Sequence, residues 1–212
     1  MSSPSSWCGV HGSVSPEAEA FPDGMRRITA AWREWQAAFL RRTGKQVDGP
    51  PITGASVEYS FWLANPPKIV HGELLLEIGG MNWYTFQAAD GWQIDRSERG
   101  IRAKVAKLHS FSDSEKYILC RMGQVAYPGE YMQSPDYRWY QAGVATGVTL
   151  RPVNADAEFS DMYLTVDGEP RPRGSMEIMD ATSFSHPLLM TYEQIDALYR
   201  REVPLDWFRW TE

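Results

Sequence analysis

Apolar residues recur at alternating spacings of three and four through the first part of the chain, between Asp23 and Arg42. The members of this stripe are Met25, Ile28, Trp32, Trp35 and Phe39. A single apolar stripe of this period is typical of an amphipathic helix. Asp23 is a favourable N-cap, two arginines suit the C-terminal end of the helix dipole, and Gly44 suits a stop. The pattern therefore predicts a long N-terminal helix.

The pattern then changes to short runs of β-branched and aromatic residues divided by turn residues. The predicted strands are residues 57–63, 73–78, 82–88, 92–97 and 101–108. Gly79-Gly80 and Asp90-Gly91 are strong turn signals between them. In the last of these strands, Ile101, Ala103 and Val105 fall on one face. Together these runs predict an antiparallel meander.

The C-terminal half mixes helix and strand signals. Ser112 and Glu115 have the spacing of a capping box, which predicts a helix that ends near Gly123. Thr191 and Gln194 repeat that spacing and predict a second short helix. Residues 127–140 show no period and are interpreted as a long loop. Further strands are predicted at residues 144–150, 162–166 and 176–179, and the aromatic tail at residues 207–210 is expected to dock on the body.

These elements predict an α+β fold, in which an antiparallel β-meander sheet is flanked by a long N-terminal helix and two shorter helices. The chain has 212 residues, of which 43% are hydrophobic and 23% charged, as in ordinary globular domains. Residues 1–22 are rich in Ser, Pro and Gly and are interpreted as a flexible arm. Residues 23–212 are expected to form a single domain.

Composition also bears on the compartment. The two cysteines, Cys8 and Cys120, lie far apart and do not indicate a disulfide framework. No stretch is long and apolar enough to span a bilayer, and residues 1–22 lack the basic leader and apolar run of a secretory signal. These features predict a cytoplasmic protein without a membrane partner.

Charge is distributed unevenly around a net value of −6. Residues 154–169 carry five carboxylates and no Lys or Arg. Such a field repels nucleic acid and attracts basic partners. Asp156, Glu158 and Asp161 are therefore predicted to face a partner, although a solvated acidic loop would have the same composition.

Signatures of catalysis are missing from the sequence. There is no nucleotide-binding loop, dinucleotide fingerprint or nucleophile elbow. His11, His71, His109 and His186 are scattered, so neither a zinc site nor a cofactor is predicted. Asp95 and Glu98 could form a general acid/base pair, but alternating charges at a strand end are more often an ion-pair cluster. The sequence favours binding over catalysis.

Two motifs carry a family resemblance. Residues 90–100 (DGWQIDRSERG) resemble a strand, and residues 181–186 (ATSFSH) with 191–195 (TYEQI) resemble the C-terminal ending, of immunity protein 61, the tuberculosis necrotizing toxin antitoxin family of actinobacteria. The predicted helix at residues 114–123 is similar to the family's middle element, and the likeness spans roughly residues 70–201. It implies a protein that binds and neutralises a cognate polymorphic toxin in the producer's cytoplasm. The best-known toxin of this type degrades NAD.

Three hypotheses stay open at this point. The leading one is an immunity protein that acts as a monomer in a one-to-one complex and blocks the active-site cleft of a toxin domain. The second is a small-molecule or lipid-binding domain with an aromatic-lined pocket, since the chain holds nine Trp, ten Tyr and eight Phe. The third is a hydrolase of unfamiliar design that uses scattered carboxylates.

Overall fold

The computed structural model of this protein describes residues 23–44, 67–157 and 160–208. Within these ranges five α-helices accompany one antiparallel sheet of eight strands, which confirms the predicted α+β class. The predicted arm at residues 1–22, the predicted strand at residues 57–63 and the side chain of Met25 lie outside the described residues.

Helix α1 spans Asp23–Arg42, as its apolar stripe predicts. The indole Nε1 of Trp32 donates a hydrogen bond of 2.8 Å to the carbonyl oxygen of Glu77, which ties the helix to the sheet. Gly44 follows the helix with a φ of 71°, a left-handed conformation that glycine adopts at little cost. The fully or almost fully buried members of the stripe are Ile28, Trp32 and Trp35.

Strands β1 to β5 form a meander in which each strand pairs with the next. Their bounds are β1 Lys68–Val70, β2 Glu73–Ile78, β3 Met81–Ala88, β4 Gly91–Glu98 and β5 Ile101–Leu108. Strands β2 to β5 confirm four of the predicted strands to within one residue at each end. The turn between β3 and β4 lies one residue earlier than predicted, because Gly91 already pairs with Ala88. A side chain at Gly91 would lie 2.6 Å from the carbonyl oxygen of Leu108, so glycine is required there.

A β-bulge interrupts the alternation of β5. Ile94 pairs with Ala106 but the next residue, Asp95, pairs with Lys104, so Val105 is left over. The prediction of one continuous face through residues 101, 103 and 105 is therefore wrong. The buried residues of this strand are Ala106 and Leu108.

Three more strands extend the sheet beyond β5, in the order β1-β2-β3-β4-β5-β8-β7-β6. Their bounds are β6 Val148–Pro152, β7 Met162–Val166 and β8 Gly174–Met176. Strand β7 confirms its prediction, and β6 begins four residues later than predicted. The strand predicted at residues 176–179 shares only Met176 with β8, because the chain enters a helix at Ile178. Met176 pairs with Ala106 on one side and Met162 on the other, and so joins the two halves of the sheet.

Helix α2 spans Phe111–Ala126 and begins earlier than predicted. The hydroxyl of Ser110, not that of Ser112, accepts the backbone N–H three residues on, at 3.0 Å. The helix also continues through Gly123, its predicted end. The absence of a side chain there makes room for the ring of Tyr199, since a Cβ would lie 2.4 Å from it. This glycine permits helix packing and does not terminate the helix.

Two helices are missing from the sequence-based prediction. Helix α3 spans Pro135–Ala142 and follows the 3-10 turn Tyr131–Gln133, while α4 spans Ile178–Leu188. The long loop predicted at residues 127–140 is therefore wrong. Ser134 caps α3 by accepting a backbone N–H at 3.2 Å, and proline at the first helical position has no N–H to leave unpaired.

The last helix, α5, spans Tyr192–Glu202 and confirms the predicted capping box. The backbone N–H of Gln194 donates to the hydroxyl of Thr191 at 3.2 Å, and its side-chain oxygen accepts the N–H of Thr191 at 2.8 Å. The 3-10 turn Leu205–Phe208 then docks on α1, as expected for the tail. The ring of Phe208 packs edge-on against Trp35, with centroids 4.9 Å apart. Residues 209 and 210 lie outside the described part.

The core forms where α1, α2 and α4 pack on the sheet. One cluster of buried apolar residues extends from Ile28 to Phe208. At its centre Tyr117 of α2 is fully buried, with its ring 6.4 Å from that of Trp83 and 5.4 Å from that of Phe184. The short connections that precede α3 and α4 remain at the surface, and the candidate site lies there.

Candidate partner-binding surface

Four large apolar side chains stand about half exposed at two neighbouring helix starts, and we call them the apolar patch. Tyr131 and Met132 belong to the 3-10 turn before α3 and are 50% and 62% exposed. Ile178 and Met179 open α4 and are 51% and 50% exposed. Large exposed apolar side chains grouped in this way often mark a site where another molecule binds.

A charge cluster of Arg121, Asp136 and Asp180 holds the two halves of the patch together. The Arg121 guanidinium of α2 lies 3.2 Å from Asp136 Oδ1 in the first turn of α3 and 3.5 Å from Asp180 Oδ1 in the first turn of α4. Tyr131 lies close enough to this cluster to be affected by its charges. Partial burial and the carboxylates of Asp136 and Asp180 raise the pKa of Tyr131. The two helix starts are thus fixed side by side over one guanidinium.

Most of this cluster is buried. Asp136 is 2% exposed and also accepts a hydrogen bond of 2.5 Å from the Tyr199 hydroxyl. Burial raises the pKa of Asp136, and Arg121 and the hydroxyl offset only part of that shift. Asp180 differs, since its side chain is 33% exposed and accepts a 2.7 Å hydrogen bond from the Tyr117 hydroxyl. Two carboxylates share one guanidinium, so the excess negative charge faces solvent at Asp180.

Local capping explains why the chain presents these residues. The carboxylate of Glu177 caps α4 by accepting the backbone N–H groups of Met179 and Asp180, at 2.9 and 3.4 Å. A cap directly after β8 turns the chain sharply into the helix, so that the residues of its first turn remain at the surface. At α3 the patch residues Tyr131 and Met132 instead precede the cap Ser134, in the 3-10 turn, and the first turn of the helix is buried. Only the α4 half of the patch is therefore a direct consequence of a helix N-cap.

A second surface is a mixed-charge cleft of about 1140 Å³ between β5, the first turns of α2 and the loop before β8. Four of its cations are paired with carboxylates of the same chain. Lys104 Nζ lies 2.5 Å from Asp161, and the Arg173 guanidinium lies 2.9 Å from Glu169. Arg171, which is exposed, has no ion pair with another described residue. The further pairs in the cleft join Lys107 to Asp90 and Lys116 to Asp113.

Of the three acidic residues singled out from the sequence, the structure ties one, Asp161, to this cleft through Lys104. Asp156 is exposed in the loop after β6, where its N–H donates to Asn154 Oδ1 at 3.1 Å. Asp161 is paired with Lys104, so part of the apparent charge excess is balanced from a distant strand. Glu158 lies outside the described residues.

Asp161 of the acidic segment and the α4 half of the apolar patch lie at the same end of the sheet. Met162 and Met176 are paired, so Asp161 directly before β7 and Glu177 directly after β8 are neighbours at that end. Ile178 and Met179 follow Glu177. The structure therefore brings one of the predicted acidic residues, Asp161, to the same end of the sheet as a patch that sequence reasoning missed. The only sequence signal for the patch is the Ser134-Pro135 helix start, and it lies inside the segment interpreted as a loop.

The other candidate chemical groups have structural partners. Asp95 accepts hydrogen bonds from Gln93 and Arg102, at 2.8 and 2.7 Å. His186 lies 2.9 Å from the carbonyl oxygen of Gly143, and burial raises the pKa of the Cys120 thiol. No group of three or more His, Cys, Asp or Glu side chains in the described part could hold a metal ion.

Within the same residues, no helix is long and apolar enough to cross a membrane. No protein-family model and no curated protein matches the sequence. Among solved structures, Rv3902c from M. tuberculosis is similar over 62% of this chain and 76% of that one, with 14% identity and a TM-score of 0.49. A likeness of this size carries no argument about function.

Proposed function

We propose that this chain is an immunity protein, an antitoxin that binds a cognate secreted polymorphic toxin in the cytoplasm and neutralises it by blocking its active-site cleft. The observation that carries the proposal is the apolar patch over its charge cluster. The sequence resemblance described above supports the same assignment from independent residues.

The patch has the composition of a protein interface. Tyr and Met are enriched in interface cores, and the residues that contribute most to the binding energy are surrounded by contacts that exclude water. Tyr131 is braced by Tyr137, whose ring centroid is 5.6 Å away, so little side-chain freedom remains to be lost on binding. The charge cluster fixes the relative position of the two helix starts. The surface is therefore preorganised for a partner.

The affinity should be high, because an antitoxin must outcompete a lethal enzyme for its substrate. We expect a dissociation constant of about 1 nM or less, which corresponds to about −12 kcal/mol. Calorimetry with the toxin domain encoded by the adjacent gene, inactivated by substitution, measures it directly. Absence of binding at micromolar concentrations would contradict the proposal, as would failure of this chain to protect cells that express the active toxin.

The acidic segment is proposed to steer the encounter. Asp156, Glu158 and Asp161 would attract a basic toxin surface and act mainly on the association rate. Replacing them with Asn, Gln and Asn should slow association several-fold and flatten its salt dependence without changing the fold. Equal stopped-flow association rates for variant and parent at low salt would show that these residues are only solvated surface.

The alternative, a small-molecule or lipid-binding domain, has the mixed-charge cleft as its supporting observation. The cleft is large enough for a small ligand, but paired charged side chains line it where the hypothesis expects aromatic ones. A ligand that co-purifies with the protein and contacts Lys107 or Arg173 would favour this alternative.

A further inference from the structure

We propose that the apolar patch receives a basic side chain of the partner, a Lys or Arg that docks on the carboxylate of Asp180. This inference rests on the proposed toxin-binding function and specifies the chemistry of the partner at that same site.

Charge balance around Asp180 supports a cation. Asp136 is fully engaged by Arg121 and the Tyr199 hydroxyl, at 3.2 and 2.5 Å. The guanidinium of Arg121 lies 3.5 Å from Asp180, so it binds the buried carboxylate of Asp136 more closely than the partly exposed carboxylate of Asp180. Asp180 also accepts a 2.7 Å hydrogen bond from the Tyr117 hydroxyl, but its carboxylate keeps free acceptor capacity, because a carboxylate offers about four lone-pair sites.

The start of α4 also argues against an anionic partner. Helix N-termini attract anions through their unpaired N–H groups. Here the carboxylate of Glu177 already accepts the N–H groups of Met179 and Asp180, which occupies the anion-binding position from within the chain. Glu177 adds a second exposed negative charge beside Asp180. Arg96, which is exposed and acts on the neighbouring Tyr117, makes no ion pair with either carboxylate within the described residues.

The apolar surroundings would strengthen such a contact. Ile178 and Met179 precede Asp180 in the same helical turn, and Tyr131 lies within range of its charge, so a docked partner would remove water from the carboxylate. A charge pair is worth more when water is excluded, provided both charges are satisfied. An apolar rim around one half-exposed carboxylate therefore suits a partner segment in which a basic residue is flanked by apolar ones.

The test places opposite charges at one exposed position. Met179→Glu and Met179→Lys remove the same side chain and differ only in sign beside Asp180. We expect the Glu variant to bind the inactivated toxin domain about tenfold more tightly than the Lys variant at low salt, with the difference shrinking as salt is added. Leu205→Glu and Leu205→Lys are the matched control pair, because Leu205 is 70% exposed on the turn against α1 and outside the apolar patch. Their affinities should agree within about twofold.

The outcomes separate the inference from the proposed function. If the parent protein binds the toxin domain and the two Met179 variants bind equally, or the Lys variant binds more tightly, the inference is overturned while the function stands. If the parent does not bind, the function itself fails. Near-UV circular dichroism checks that both variants fold. Light scattering that finds a dimer of the parent, dissociated by both Met179 variants, would assign the patch to a second copy of this chain and overturn the inference.

Discussion

The apolar patch and the mixed-charge cleft both combine carboxylates with basic side chains, but they differ in what surrounds the charges. Three of the four pairs in the cleft are open to water, as in Lys104–Asp161, whose side chains are 41% and 28% exposed, and the fourth, Lys116–Asp113, is buried. Beneath the patch, Arg121 and Asp136 are almost fully buried and exposed apolar side chains lie above them. Solvated pairs stabilise little, whereas a buried pair is costly to break. The comparison indicates that most of the cleft is ordinary charged surface and that the patch is built around a buried centre.

The largest expected effect comes from removing a cation in each region. Arg121→Met leaves the buried Asp136 without its guanidinium and should reduce the free energy of unfolding by about 3–5 kcal/mol. Lys104→Met, the same replacement in the cleft, should cost less than about 1 kcal/mol. Urea denaturation at neutral pH measures both, and equal losses would break the comparison. The Arg121 loss should shrink at acidic pH, where Asp136 takes up a proton.

Glu77 sharpens the comparison, because it is a buried carboxylate without an ion pair to another described residue. Burial raises its pKa from 4.5 to about 7, and the charge of Lys68 offsets this only in part. The folded protein thus keeps a proton that the unfolded chain has already lost above pH 4.5. Stability should fall as pH rises from 4.5 to 7, by about 2–3 kcal/mol, and then level off.

The matching variant is Glu77→Gln. It should abolish this pH dependence and make the protein more stable than the parent at pH 8. Denaturation midpoints across that pH range provide the measurement. A parent protein whose stability stays level between pH 4.5 and 7 would show that Glu77 ionises normally in the fold.

The smallest expected effect concerns a helix cap, a feature that α5 shares with the helices of both regions. Thr191→Ala removes the hydroxyl that caps α5 and should cost about 1 kcal/mol, with Thr191→Ser as the conservative control. A thermal melt in which Ala and Ser variants both match the parent would show that the cap contributes nothing measurable.

What the sequence predicts well is local, and what it misses joins distant segments. The stripe of α1 and the Thr191-Gln194 box each lie within one element, so spacing alone identifies them. Ser110 and Ser112 are competing caps, and only packing decides between them. The predicted acidic segment is unbalanced in sequence in part because Lys104, the counter-ion of Asp161, lies 57 residues away.

The candidate site is hidden from sequence for the same reason. Tyr131 and Met179 become neighbours only because Arg121, on a third element, binds the first turns of α3 and α4. Helix α3 has eight residues, too few for an apolar period to stand out. The bulge at Val105 is likewise set by pairing with β4, so alternation within β5 could not reveal it.

The central claim is that the apolar patch binds the toxin domain, and one binding measurement tests it most directly. Calorimetry would compare the parent, Met132→Asp and Leu205→Asp, which place the same charge on an exposed apolar position inside and outside the patch. The account predicts nanomolar binding for the parent and Leu205→Asp and at least a hundredfold weaker binding for Met132→Asp, or about 3 kcal/mol. Equal affinity of all three proteins for the toxin domain would contradict it.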